Sequence, residues 1–85
     1  MASYKILIKP SAVKEIEAIP RRERERIVAR MQGLSGDPRP PGCQKLSGQD
    51  KFRLRQGTYR IVYSVNDEDT SLLVVKVGHR KEVYR

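Results

Sequence analysis

Six residues in the second half of the chain carry side chains able to grip or cleave a phosphodiester: Lys51, Arg53, Arg55, Arg60, Arg80 and Tyr84. Strand alternation over residues 51–55 sends Lys51, Arg53 and Arg55 to one face and Phe52 and Leu54 to the other. Gly57-Thr58 fits a two-residue turn of type II′, with glycine at the first central position. That turn sets Arg55 opposite Arg60 and Arg53 opposite Val62. Opposed residues share a face, so all four cations project from one side. Like charges opposed across a sheet repel, and charges kept only for solubility are better scattered. The arrangement calls for a polyanion to complete it, and nucleic acid is the polyanion that suits a basic sheet face. Arg80, Lys81, Tyr84 and Arg85 come off the last strand and border the same face.

Cleavage of RNA by its own 2′-hydroxyl needs three things: a group that takes the hydroxyl proton, charge stabilisation on the phosphorane, and protonation of the 5′-oxygen as it leaves. Proteins commonly supply a pair of histidines or a histidine and a glutamate. Here there is one histidine, His79, and no carboxylate among the strand cations. Lysine and arginine can work by electrostatics instead. A lysine crowded by cations gives up its proton more readily, and arginine holds phosphate oxygens in a planar fork. Tyr84 can stack on a base or hydrogen-bond the phosphate. Histidine titrates near neutrality, which makes His79 a rival base.

The ordered runs Lys45-Leu46-Ser47-Gly48, Lys51-Phe52-Arg53-Leu54-Arg55, Gly57-Thr58-Tyr59-Arg60-Ile61-Val62-Tyr63, Gly78-His79-Arg80 and Glu82-Val83-Tyr84 resemble the RelE family of toxin endoribonucleases, within the RelE/ParE superfamily of type II toxin–antitoxin systems. Each single match is a common residue. The combination in this order, across three strands and the tail, is much more specific, and the resemblance covers essentially the whole chain. It implies a ribosome-dependent endoribonuclease that cuts mRNA in the ribosomal A site by 2′-hydroxyl attack, leaving a 2′,3′-cyclic phosphate. No cofactor or metal is implied. The resemblance makes Lys51 the general base and Arg60 the phosphorane stabiliser. It makes Arg80 the acid or leaving-group stabiliser, and Tyr84 the residue that orients the mRNA. Arg53, Arg55, His79, Lys81 and Lys45 become RNA-binding residues. Arg53 stands where the family pattern has a second lysine. Charge is kept, but arginine cannot serve as a base, so that duty falls on Lys51. The implied partners are a cognate antitoxin and the ribosome with bound mRNA, with operator DNA reached only through the antitoxin complex.

Two other functions fit the same features. ParE-like toxins share this fold and inhibit DNA gyrase by binding, without cutting RNA, but generally lack a strand cluster together with the terminal tyrosine. A non-catalytic nucleic-acid-binding module would use the same arginines only to hold phosphate.

Periodicity assigns these residues to strands and helices. Residues 4–9 read as a first strand, ended by Pro10. Pro10-Ser11 opens a short helix with Ala12, Ile16 and Ile19 at helical spacing. Beyond Pro20 a second helix, residues 21–34, carries Ile27, Met31 and Leu34 at i, i+4 and i+7. The mixed Arg/Glu run at its start reads as a solvated face with internal pairing. Residues 36–49, with Gly36, Pro38, Pro40, Pro41, Gly42 and Gly48, read as an extended surface loop. Three strands follow, the last a nearly continuous apolar run over residues 71–77, as expected of an inner strand covered on both faces. The expected architecture is α/β in the α+β sense. It runs strand, helix, helix and three-stranded meander, the helical hairpin packing on the Phe52/Leu54 face of a small antiparallel-rich sheet that the first strand joins.

Eighty-five residues with 38% apolar content suit one small domain, residues 1–85, with a single modest core. No apolar stretch is long enough to span a membrane, and the N-terminus lacks a signal-peptide core. One cysteine, Cys43, makes no internal disulfide and reads as a loop thiol, so the cytoplasm is the expected compartment. A net charge of +8 favours an acidic partner. Residues 1–43 and 44–85 each hold nine Lys/Arg against five Asp/Glu, so only placement in the fold can decide where that partner sits.

Overall fold

The computed structural model describes residues 3–46 and 51–79. Strand β1 (Lys5–Ile8) leads into helices α1 (Pro10–Glu17) and α2 (Arg21–Gly33). Strands β2 (Gln44–Lys45), β3 (Lys51–Gln56), β4 (Tyr59–Asn66) and β5 (Ser71–His79) follow. They form one five-stranded sheet in the order β1-β5-β4-β3-β2. Strand β1 lies parallel to β5, and the remaining neighbours are antiparallel. The expected mixed fold, with two helices on one face of an antiparallel-rich sheet, is what the chain adopts.

Prolines set the helix boundaries. Pro10 occupies the first turn of α1, where its missing N–H costs nothing, and Pro20 is the N-cap of α2. Ala12 and Ile16 of α1, then Ile19, Ile27, Met31 and Leu34, close over Leu54, Ile61, Tyr63, Leu72, Val74 and Val77 of the sheet. These residues form one apolar core between the helices and a single sheet face.

Two expectations need correction. The segment over residues 36–49 is not loop throughout. Gln44 and Lys45 pair with Arg53 and Phe52 as the short edge strand β2. The second concerns β5, which is buried on the helix side at Leu72, Val74 and Val77 but only half-buried on the other side at Leu73 and Val75. An apolar run marked it correctly as an inner strand, while the cover on its second face is partial.

The hairpin between β3 and β4 turns at Gly57-Thr58. Gly57 has φ +62°, while Thr58 is not among the residues of positive φ, as a type II′ turn requires. The register that follows is the expected one, with Arg55 opposite Arg60 and Arg53 opposite Val62. Between β4 and β5 the register shifts at Val62/Tyr63. Beyond Val74 the outer edge of β5 passes the end of β1, and there the Val77 N–H donates to Glu15 Oε1 of α1 at 3.0 Å. Lys76 Nζ reaches the other oxygen of the same carboxylate, also at 3.0 Å. One carboxylate thus ties α1 to the irregular stretch of β5.

Candidate nucleic-acid interface

Strand pairing decides which side chains share the face opposite the helices. Lys51 pairs with Ser64, Arg53 with Val62 and Gln44, and Arg55 with Arg60, which in turn pairs with Gly78. Lys51, Arg53, Arg55, Arg60 and Gln44 therefore project from one side. Gly78, opposite Arg60, adds no side chain to that face. Arg60 is 5% exposed and Arg55 is exposed. An arginine this buried is uncommon and points to a demand other than solubility.

A cavity of about 340 Å³ opens where these side chains meet, lined by Arg53, Arg55, Arg60 and Gln44 together with Arg30, Gly42 and Leu54. Arg53 donates to the Gln44 side-chain oxygen. No carboxylate lines the cavity among the described residues. Lys51 shares the face but not the cavity. It stands four residues along β3 from Arg55, about 13 Å away at the usual rise per residue.

Five of the candidate residues lie elsewhere in the fold or outside the described residues. Lys45 pairs with Phe52, which puts it on the helix side of the sheet and away from the arginines. His79 pairs with Tyr59, in register with Ile61 and Val77 of the core face. Its ring meets the Tyr59 ring edge-on, with centroids 5.9 Å apart, and it lines a different cavity with Glu15 and Ile19. The sheet thus separates His79 from the arginine cluster, which removes it as a rival base there. Alternation by two explains the placement: along β5, Gly78 takes the arginine side and its neighbour must take the other. Arg80, Lys81 and Tyr84, like Ser47 and Gly48 of the motif, lie outside the described residues.

Arg30 and Gln44 are the cavity residues that sequence reasoning missed. Arg30 sits three residues after Ile27 and four before Leu34, so it flanks the buried stripe of α2 and does not belong to the solvated Arg/Glu run. A cation beside an apolar stripe was the available signal.

The segment before β2 is strapped to the far end of the sheet. Arg39 pairs with Asp67 at 2.9 Å and lies over the Phe52 ring, 5.2 Å from its centroid. The Tyr4 hydroxyl donates to the same carboxylate at 2.6 Å. The Arg39 hydrogen bond, then that of Tyr4, holds the Asp67 carboxyl below its ordinary pKa, and the Asp67 bond in turn pushes the Tyr4 phenol up. The Tyr63 hydroxyl donates to the Pro38 carbonyl at 2.8 Å. Burial, and next the neighbouring Cys43, push its phenol well above the ordinary range. Cys43 therefore packs against the core beside Tyr63. Together these contacts deliver Gln44 to Arg53.

A basic sheet face around a cavity, on a fold of this topology, makes this a small α+β protein with a candidate anion-binding face. Comparison with known proteins gives the family. The model of the "ParE toxin of type II toxin-antitoxin system, parDE" matches residues 6–84. Toxin RelG of Mycobacterium tuberculosis is 31% identical over 86 residues, covering 96% of this chain and 97% of that one. The toxin–antitoxin complex RelBE2 from the same organism matches with TM-score 0.82 and 27% identity, over 92% of this chain and 99% of the matched chain. The isolated Escherichia coli RelE toxin matches with TM-score 0.81 and 30% identity, over 96% and 92%. The chain belongs to the RelE/ParE superfamily and is a toxin of a type II toxin–antitoxin system.

Proposed function

We propose that this toxin is a ribosome-dependent endoribonuclease that cuts mRNA in the ribosomal A site. The observation that carries the reading is the convergence of Arg53, Arg55 and Arg60, from two strands, on one cavity. Such a site suits a phosphodiester whose charge grows as it reacts. In the reaction the 2′-hydroxyl loses its proton, the 2′-oxygen bonds to phosphorus, and the bond from phosphorus to the 5′-oxygen breaks. The leaving oxygen takes up a proton, giving a 2′,3′-cyclic phosphate and a 5′-hydroxyl. Arg60 stabilises the phosphorane as a planar fork, while Arg53 and Arg55 hold the strand. Lys51 takes the hydroxyl proton, which requires the RNA to run along β3 from the cavity towards that residue. Arg80 serves the leaving group and Tyr84 orients the mRNA. A cognate antitoxin neutralises the toxin in the cytoplasm, and operator DNA is met only through that complex.

The ParE description of the matching family model favours a second reading, inhibition of DNA gyrase without RNA cleavage. Primer extension on mRNA in translating ribosomes, run beside a gyrase supercoiling assay, separates the two. Discrete cuts in the A-site codon with unaffected supercoiling are expected. Inhibited supercoiling with intact mRNA would reverse the assignment.

A further inference from the structure

We infer that Arg30 of α2 holds a second phosphate of the bound RNA, adjacent to the one gripped by the sheet arginines, so that the strand leaves the sheet face around the open edge of β3. This rests on the RNA reading above. Arg30 reaches the cavity from the helix side, together with Leu54 of the core face, whereas Arg53, Arg55 and Arg60 reach it from the opposite side. The passage between the two sides exists because β2 is two residues long and its pairing stops at Arg53, leaving the outer edge of β3 from Leu54 onward without a described partner strand. The Arg30 Nε is buried without a hydrogen-bond partner among the described residues. A buried donor on a cation is costly unless an acceptor completes it, and the described lining offers no carboxylate to do so. At about 340 Å³ the cavity is near the lower end for small-molecule sites. It has room for a short stretch of single-stranded backbone. Four guanidiniums from α2, β3 and β4 then bracket a turn of backbone from two directions.

Fluorescence anisotropy with a 12-nucleotide single-stranded RNA, titrated over a range of salt, tests this with wild type, Arg30→Ala and Arg30→Lys. Arg30→Ala is expected to weaken binding about tenfold at low salt and to flatten the slope of log affinity against log salt by about 0.7, the value for one lost phosphate contact on a single strand. Arg30→Lys should restore the slope but not the full affinity, because an ammonium replaces the fork by a point charge. Lysine also keeps the helix and the charge, so the comparison stands even where Ala melts early. A wild-type-like slope in Arg30→Ala overturns the inference while leaving the RNA reading intact. An unchanged RNA slope with weakened antitoxin binding also overturns it, and assigns the cavity to an acidic side chain of the antitoxin. Wild type that neither binds the oligonucleotide in a salt-dependent way nor cuts mRNA on ribosomes removes the RNA reading itself, and this inference with it.

Discussion

Arg60 sits where three constraints meet: it opposes Arg55 on β3, Gly78 on β5, and it is nearly excluded from solvent. Desolvated fork donors act most strongly on charge that develops only in the transition state. Arg60→Ala should therefore lower single-turnover cleavage on stalled ribosomes by about 10² or more, and Arg60→Lys should recover only part of it. Equal, small losses for Arg60 and Arg55 would mean that the cluster binds RNA without cutting it. His79 gives the opposite expectation. It lies across the sheet from the cavity, so His79→Gln should change the cleavage rate by less than about twofold. A large loss in His79→Gln would put the reacting phosphate on the other face. These two residues also measure what sequence could reveal. Alternation and a two-residue turn were enough to put Lys51, Arg53, Arg55 and Arg60 on one side. For His79, nearness along the chain to Gly78-Arg80 suggested nearness in space, and the period of two along β5 overruled it.

At the scale of elements, β2 and the strap that carries it were not legible, because nothing local makes a strand of Gln44-Lys45. Their pairing depends on partners far along the chain: Arg39 on Asp67, Pro38 on Tyr63, and Gln44 on Arg53. The helices and β3 to β5 were legible because period, proline position and turn chemistry are properties of short windows. The strap titrates at both ends of the pH scale. Asp67 has a folded pKa below its unfolded value, so its share of stability is present above the ordinary carboxylate range and is lost as pH falls through the depressed folded value. Tyr63 has a raised folded pKa, so its share is complete below the unfolded phenol value, about 10, and is lost as pH rises beyond it. Thermal melts from pH 7 to 11 should show wild type weakening above about pH 10. Tyr63→Phe should be flatter there, yet less stable at neutral pH by about 1 kcal/mol for the lost bond to Pro38. Identical alkaline profiles would mean that Tyr63 ionises without leaving the core. Arg39→Ala tests the other end: it should loosen the segment before β2 and weaken RNA binding, with little change in the melting of the helices.

The whole molecule presents two unlike surfaces, divided by the sheet. One is the arginine face. The other is a mostly apolar groove of about 330 Å³ on the helix side, lined by Ile6 and Ile8 of β1, Val13, Ile16 and Glu17 of α1, and Val28, Met31 and Gln32 of α2. Ile8 and Val13 are exposed to 36% and 39%, which is unfavourable for two aliphatic side chains left without cover by the described residues. The groove borders β1, whose outer edge pairs with no described strand and can accept an added one. Relatives of this fold have been solved as toxin–antitoxin complexes, and a chain of net charge +8 attracts an acidic partner. The expected occupant is an amphipathic antitoxin segment, its apolar side on this lining and its acidic side turned to solvent, clear of Glu17. Val13→Asp places a charge in the groove without touching the core, and should weaken antitoxin binding by about tenfold or more while cleavage of ribosome-bound mRNA stays within about twofold of wild type. Arg55→Ala should do the reverse, reducing RNA attachment and its salt dependence while sparing the hold of the antitoxin on this groove. Were Val13→Asp to abolish both together, inhibitor and substrate would be competing for one surface, and the division of the molecule into two faces would not describe its control.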